Sequence, residues 1–295
     1  MVEIHDSRPE EVDTLVALVI ERCPWLNDAI VRPAYTEGFV TDLKSLTATE
    51  NGQVVGTAIQ GFFPGEPPGR MVHYVIVAPG HVGRGIGREL RQGLLDALPT
   101  AADEINAAVA DEDQHAVDVV RHWGFRTDQL SINSVLDLTD LPEVQLPDGL
   151  IAQWTSDYEF VDADIVDAMY ARSQTNPEAL RDGAQTLAAR TAQLNDEATE
   201  VVLVLREGSA PVAVVFGSLV GDTAQVFYTG VDPAHRGRGL AKVAKQLWHL
   251  RVRDLGATRA MTNNEQGNTG IRRVNAELGY VKLNGAYWVI KTVER

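Results

Sequence analysis

The chain has 295 residues, of which 44% are hydrophobic and 23% charged, a balance that disfavours extensive disorder or membrane residence and a length that suits two domains. A formal charge of −15 and a pI near 4.8 argue against a nucleic-acid binder, which needs clustered Lys and Arg, and fit a cationic small molecule or peptide better. With Cys23 as the single cysteine there is no intrachain disulfide or thiolate cluster, and the histidines show no metal-ligand spacing, so no metal site is expected. The polar start and the absence of any apolar run near eighteen residues predict neither signal peptide nor membrane span, and a cytoplasmic setting.

In chain order, residues 2–5 read as a strand. Pro9 with Glu10 and Glu11 then opens a helix to about Cys23, whose Val12, Leu15, Val16, Leu18, Val19 and Ile20 make a broad core-facing stripe. A weaker helix is expected within 33–44. Asn51-Gly52 between the β-rich stretches 46–49 and 53–63 signals a hairpin. Residues 71–77 form a strand that runs into a glycine loop, followed by a helix over 84–98, a strand over 105–109, a short helix over 114–123 stopped by Gly124, and closing strands over 125–138.

Residues 139–149, with two prolines and a glycine, read as a linker, so the expected domains are 1–138 and 150–295. After the linker the order repeats: strand 150–155, helices near 158–172 and 177–194, strands 201–205, 211–219 and 224–231, a helix over 238–255, strand 258–262, helix 268–278, and final strands from Gly279-Tyr280. Val231-Asp-Pro-Ala-His-Arg-Gly-Arg-Gly-Leu-Ala241 repeats Val77-Ala-Pro-Gly-His-Val-Gly-Arg-Gly-Ile-Gly87 at an offset of 154 residues. The closing glycines Gly124 and Gly279 keep that register, which points to a duplicated domain.

A strand end, a tight glycine turn and a helix start aim several backbone amides at one point. Such a nest favours phosphate through the unpaired amides and the helix dipole, and Gly237 and Gly239 let oxygens approach the backbone. Arg236 and Arg238 could add charge-assisted bonds. Neither copy has the Gly-x4-Gly-Lys-Ser/Thr of a P-loop, and both loops lie too far along their domains for a dinucleotide fingerprint. A solvated glycine turn is the alternative for either copy taken singly.

These residues resemble the acetyl-CoA loop of the GNAT acyltransferases, Arg/Gln-x-x-Gly-x-Gly/Ala after a strand ending Val-x-Pro. Arg236-Gly-Arg-Gly-Leu-Ala241 matches it fully, and Val82-Gly-Arg-Gly-Ile-Gly87 departs only at Val82. Two copies resemble the tandem members of that family. The resemblance implies two α+β domains, each a mixed, mostly antiparallel sheet flanked by helices, with the fourth and fifth strands splayed to hold pantetheine and the pyrophosphate on the loop. It implies acetyl-CoA or another acyl-CoA as co-substrate, held by Val231, Arg236, Gly237, Arg238, Gly239, Leu240 and Ala241, with Asn264 and Asn268 as further contacts. A second, weaker site is implied at Val77, Val82, Gly83, Arg84, Gly85, Ile86 and Gly87.

Acyl transfer to an amine needs a neutral amine, an oxyanion donor and a proton for the departing thiolate. In many family members a Glu six residues before the Val of Val-x-Pro is the base and a Tyr four residues before the closing glycine is the acid. Here those positions are Gln225 and Asn275 in the second half, and Met71 and Val120 in the first. Tyr228 and Tyr280 are the candidate donors of the second half, and His73 the one histidine placed to face a cleft. The expectation is an acetyl-CoA-dependent N-acyltransferase that acts on the primary amine of a small molecule, for which the acidic chain favours a cation, by direct attack in a ternary complex. Its second half would be catalytic and its first degenerate, in a monomer that mimics a dimer or in a homodimer. The alternatives are a non-catalytic acyl-CoA-binding or regulatory module, and an aminoacyl-tRNA-dependent acyltransferase.

Overall fold

The structure is a computed structural model that describes residues 1–23, 26, 28–35, 38–64, 66–155, 163–176 and 198–294. It divides into two compact units, residues 1–130 with 286–295, and residues 131–285.

The first unit runs β1 (Val2–Asp6), α1 (Val12–Arg22), α2 (Asp28–Val31), β2 (Thr41–Glu50), β3 (Gln53–Phe62), β4 (Arg70–Val77), α3 (Ile86–Asp96), β5 (Glu104–Ala110) and α4 (Gln114–His122), then enters β6 (Arg126–Asp137). β1 to β4 pair antiparallel in sequence order, and β4 pairs parallel with β5. The β2–β3 hairpin turns on Asn51 (φ 51) and Gly52 (φ 76), the two positive values a two-residue turn of this hand requires. Among the described residues of 33–44 there is no α-helix. A 3-10 turn covers Arg32–Tyr35, Gly38 (φ 93) and Asp42 (φ 51) leave helical space, and β2 begins at Thr41. On one face of the sheet α1 buries Val16, Leu18 and Val19 against Ile76; on the other α3 buries Ile86, Leu90 and Leu94 against Leu46 and Ala58.

The second unit runs β7 (Leu150–Thr155), α5 (Ala163–Ser173), β8 (Thr199–Glu207), β9 (Ala210–Val220), β10 (Thr223–Val231), α6 (Leu240–Asp254), β11 (Arg259–Glu265) and α7 (Thr269–Glu277), then enters β12 (Val281–Thr292). β7 to β10 pair antiparallel in order and β10 pairs parallel with β11. The helix expected over 177–194 lies outside the described residues. Trp248 of α6 is fully buried and donates its indole N–H to the Val201 carbonyl at 2.9 Å. It lies so close to β9 that a Cβ at Gly217 would collide with its ring and with the Gln225 carbonyl.

Each unit is a mixed, mostly antiparallel sheet with helices on both faces, and each is completed by a strand from far along the chain. Residues 131–137 of β6 pair antiparallel with β11 in the second unit, and residues 286–292 of β12 pair antiparallel with β5 in the first. The repeat boundaries 1–138 and 150–295 therefore differ from the compact units by one exchanged strand each. Residues 131–138 sit in the second unit and 286–295 in the first.

Candidate functional site

Both glycine loops have one backbone. A 3-10 turn (Pro79–His81; Pro233–His235) is followed by glycines with positive φ, Gly83 (81) and Gly85 (88) in the first unit, Gly237 (77) and Gly239 (75) in the second. Gly85 and Gly239 are the N-caps of α3 and α6. Nothing lies within 4 Å of a Cβ added at any of the four, so it is the left-handed backbone, not crowding, that calls for glycine. The first helical amides bonded back to the cap are those of Arg88 and Lys242, which leaves the amides of Ile86 and Gly87, and of Leu240 and Ala241, as the ones a helix start offers to an anion.

The arginines are engaged elsewhere. Arg238 forms a two-pronged pair with Glu207 (3.0 and 2.8 Å) and Arg84 the same pair with Glu50 (2.8 and 2.5 Å). Each guanidinium holds its carboxylate below the usual range. His81 and His235 flank the pairs at 3.4 and 3.5 Å from those glutamates. Arg236 donates Nε to the Val231 carbonyl (3.2 Å) and Nη2 to the Ser173 carbonyl (3.0 Å). Backbone amides line the nest, and beside it the arginine side chains bond to neighbouring residues. Leu240 and Ile86 point into the cores, while Ala241 and Gly87 are half-buried.

Beside each loop the parallel strands part. Pairing stops at Val72–Asn106 in the first unit and at Val226–Thr262 in the second, although all four strands continue. In the first unit the gap is a cleft of about 500 Å³ bounded by Tyr74, Val77, Gly83, Gly85, Val109 and Val120. Its mostly apolar walls and amide-rich end fit a long acyl carrier with a phosphate terminus. Cys23 also lines it, with its thiol pushed up to about 12 by burial, and Arg22 at the end of α1 donates to Asp113, the N-cap of α4, at 2.8 Å.

The units differ in the strand that leads into the loop. β4 pairs with β3 in unbroken register from Val72 to Val77, whereas the β10–β9 register shifts between Val226 and Tyr228, which leaves Phe227 as a bulge residue. Ala224 and Val226 pack toward α6, so alternation turns Gln225 to the α5 face; after the bulge Tyr228 packs on that face too, against Tyr170 of α5 (ring centroids 4.8 Å apart). Tyr228 shares a 2.9 Å hydrogen bond with Ser173, and a Cβ at Gly230 would meet both residues. The repeat counterpart of Gln225, Met71, is fully buried in the first unit's core. Tyr74, the counterpart of Tyr228, is bonded to the backbone of Ala108 across the gap.

Of the remaining candidates of the second unit, Asn264, Asn275 and Tyr280 join one largely buried cluster around Lys245. Asn275 is 4% exposed; its Oδ1 accepts from Lys245 Nζ (2.7 Å) and its Nδ2 donates to Asn264 Oδ1 (2.6 Å). The Tyr280 hydroxyl is hydrogen-bonded to His249 Nε2 at 2.8 Å, and burial pushes its phenol well above the ordinary value. Asn268 is the N-cap of α7, without a side-chain capping bond. In the first unit His73 is 2% exposed, bonded to Gln60 at 3.2 Å and pushed down to about 4 by burial, which keeps it neutral inside the core. Ser173, Lys245, Glu50, Glu207 and the bulge at Phe227 were not singled out from sequence. The repeat could have flagged the glutamates, each of which ends the strand or hairpin arm before a Gly turn.

Residues 14–125 match the acetyltransferase (GNAT) family. The chain is 26% identical over 248 residues to a mycothiol acetyltransferase of Nocardia farcinica, a match that covers 80% of this chain and 79% of that one. In fold it is similar to a GCN5-related N-acetyltransferase of Sphaerobacter thermophilus (TM-score 0.73, 14% identity, 100% of this chain and 96% of that one). It is also similar to a tandem GNAT protein of the clavulanic acid biosynthesis pathway (TM-score 0.72, 18% identity, 100% and 99%). Among the described residues no helix is long and apolar enough to cross a membrane. Residues 14–125 thus match the GNAT acetyltransferase family, and the chain as a whole, with two loops of one geometry on two pairs of parting strands, is similar to its tandem members.

Proposed function

We propose that the chain transfers an acetyl group from acetyl-CoA to the primary amine of a small molecule, with the reaction in the second unit and acyl-CoA held by both. The observation that carries the assignment is the bulge at Phe227, which turns Gln225 and Tyr228 to one face beside the parting ends of β10 and β11. The amides of the Gly237–Ala241 loop hold the pyrophosphate, and the gap between β10 and β11 takes the pantetheine arm. Bringing thioester and amine together supplies much of the acceleration.

Gln225 orients the incoming amine or a water beside it but takes no proton, since an amide is not a base. Tyr228, bonded to Ser173, is the group nearest to hand for passing a proton. A thiolate leaving group near pKa 8 to 9 needs little acid help, so a site without the family's usual Glu and Tyr still turns over. Asn275 and Tyr280 are occupied by Lys245 and His249 and serve as wall rather than as acid. A small cationic amine suits the acidic chain.

Incubation with acetyl-CoA and a panel of primary amines, with release of free thiol followed, tests the proposal. Amine-dependent release that is lost in Gln225→Leu is expected; release indifferent to every amine would leave a binding module. A second reading, with the reaction in the first unit, is favoured by the family match over 14–125 and by the cleft there. It predicts that Gln225→Leu is silent.

A further inference from the structure

Lys245 is fully buried on α6, and among the described residues no carboxylate pairs with it. Its contacts are Asn275 Oδ1 at 2.7 Å and the face of Tyr280, whose ring centroid lies 4.6 Å from Nζ. An ammonium without a counter-ion is costly to bury, and a methionine would fill the same space without that cost. The lysine therefore weakens the core, and the hydrogen bonds beyond it show what it does there.

An ammonium only donates. Asn275 must present its oxygen to Lys245 and its amino group to Asn264, so Asn264 must accept with its oxygen (2.6 Å) and keeps its own N–H groups for another partner. Counted from the closing glycines Gly279 and Gly124, Asn264 and Asn275 occupy the places of Val109 and Val120, both of which line the first unit's cleft. In the first unit nothing needs orienting: Arg91, the counterpart of Lys245, lies over Trp123 at 4.9 Å, and Val120 has no amide.

We propose that Lys245 is a positioning residue for acyl-CoA in the second unit: its buried ammonium sets the direction of the Lys245–Asn275–Asn264 chain, so that Asn264 offers an N–H to an amide carbonyl of the pantetheine arm. This rests on the reading that the second unit binds acyl-CoA. Without the ammonium the two asparagines can both flip, and Asn264 then turns an oxygen toward a carbonyl that it repels.

Lys245→Met is expected to keep or raise Tm, to raise KM for acetyl-CoA ~5–10-fold, the scale of one lost hydrogen bond, and to change kcat less than about twofold. Asn264→Asp still accepts from Asn275 but has no N–H to give, and is expected to raise KM to the same extent. Burial pushes Lys245 down to about 7, while its titratable neighbours stay neutral, His249 pushed down to about 3 and the Tyr280 phenol pushed up. In the wild type KM therefore rises above pH about 7 as the ammonium becomes an amine that can also accept, and Lys245→Met abolishes that rise. A folded Lys245→Met protein with wild-type KM at every pH overturns the proposal. Should Lys245→Met fail to fold, an unchanged KM in Asn264→Asp overturns it instead. Binding stoichiometry separates the two failures. If Gly239→Asp leaves the number of bound acetyl-CoA molecules unchanged, the underlying reading falls; if it removes one and Lys245→Met has no effect, only the role of Lys245 falls.

Discussion

β4 and β10 lead into loops of the same backbone, but β10 carries one bulged residue and β4 none. That residue decides which side chains meet the α1- or α5-side face of the sheet: Gln225 in the second unit is turned out, while Met71 in the first is in the core. The arginines at the ends of the first long helices differ in the same sense. Arg22 reaches to Asp113 at the start of α4, whereas Arg172 donates to Asp232 at the end of its own neighbouring strand, at 2.9 Å. Tyr74 bonds across the gap to Ala108, and Tyr228 turns away to Ser173. The two units share one loop backbone, while the residue six before the end of the leading strand faces out in one and lies in the core in the other.

Removing the bulge is the strongest way to break this contrast. Deleting Phe227 restores strict alternation, swings Gln225 into the core as Met71 is, and is expected to reduce amine-dependent thiol release to background in a protein that keeps its far-UV circular dichroism. Tyr228→Phe is expected to lower kcat on the order of 10²-fold, whereas Tyr74→Phe in the first unit leaves it within about twofold; equal effects in steady-state assays would erase the distinction. Thermal melts against pH report on the buried Lys245. Lys245 is depressed to about 7 in the folded protein, so from there to its ordinary 10.5 the unfolded chain holds a proton that the folded one has lost, and stability rises with pH over that window. Lys245→Met is expected to flatten that rise. Smallest of all, Glu207→Gln and Glu50→Gln each remove one partner of a solvent-screened ion pair, and the midpoint of chemical denaturation should barely move.

Much of the architecture was legible from sequence because it is written in local signals. Asn51-Gly52 set a hairpin, Pro9 and the glutamates set the start near α1, and Gly83, Gly85, Gly237 and Gly239 marked a tight turn into a helix start. The helix expected over 33–44 failed because an apolar-polar mixture near Pro33 carries no strong period, and the strand that begins at Thr41 is fixed by its partner β3. The exchanged halves of β6 and β12 were not legible: their partners β11 and β5 lie more than a hundred residues away, and a closing strand looks the same whichever sheet it joins. The bulge was hidden for a related reason, since Phe227 in a β-rich run reads as one more strand residue. Arg236 and Arg238 read as phosphate ligands because sequence shows their charge but not Ser173 or Glu207. Lys245 was not singled out, because nothing local in the sequence shows that its position on the helix is buried.

The central claim, that the two cradles have parted in function, is tested most directly by placing one carboxylate in each. Aspartate tolerates the left-handed backbone better than most residues and repels phosphate, so Gly239→Asp and Gly85→Asp make a matched pair. With amine-dependent release of free thiol from acetyl-CoA as the measurement, Gly239→Asp is expected to abolish turnover and Gly85→Asp to retain most of it. Turnover that survives Gly239→Asp and is lost in Gly85→Asp would contradict the account.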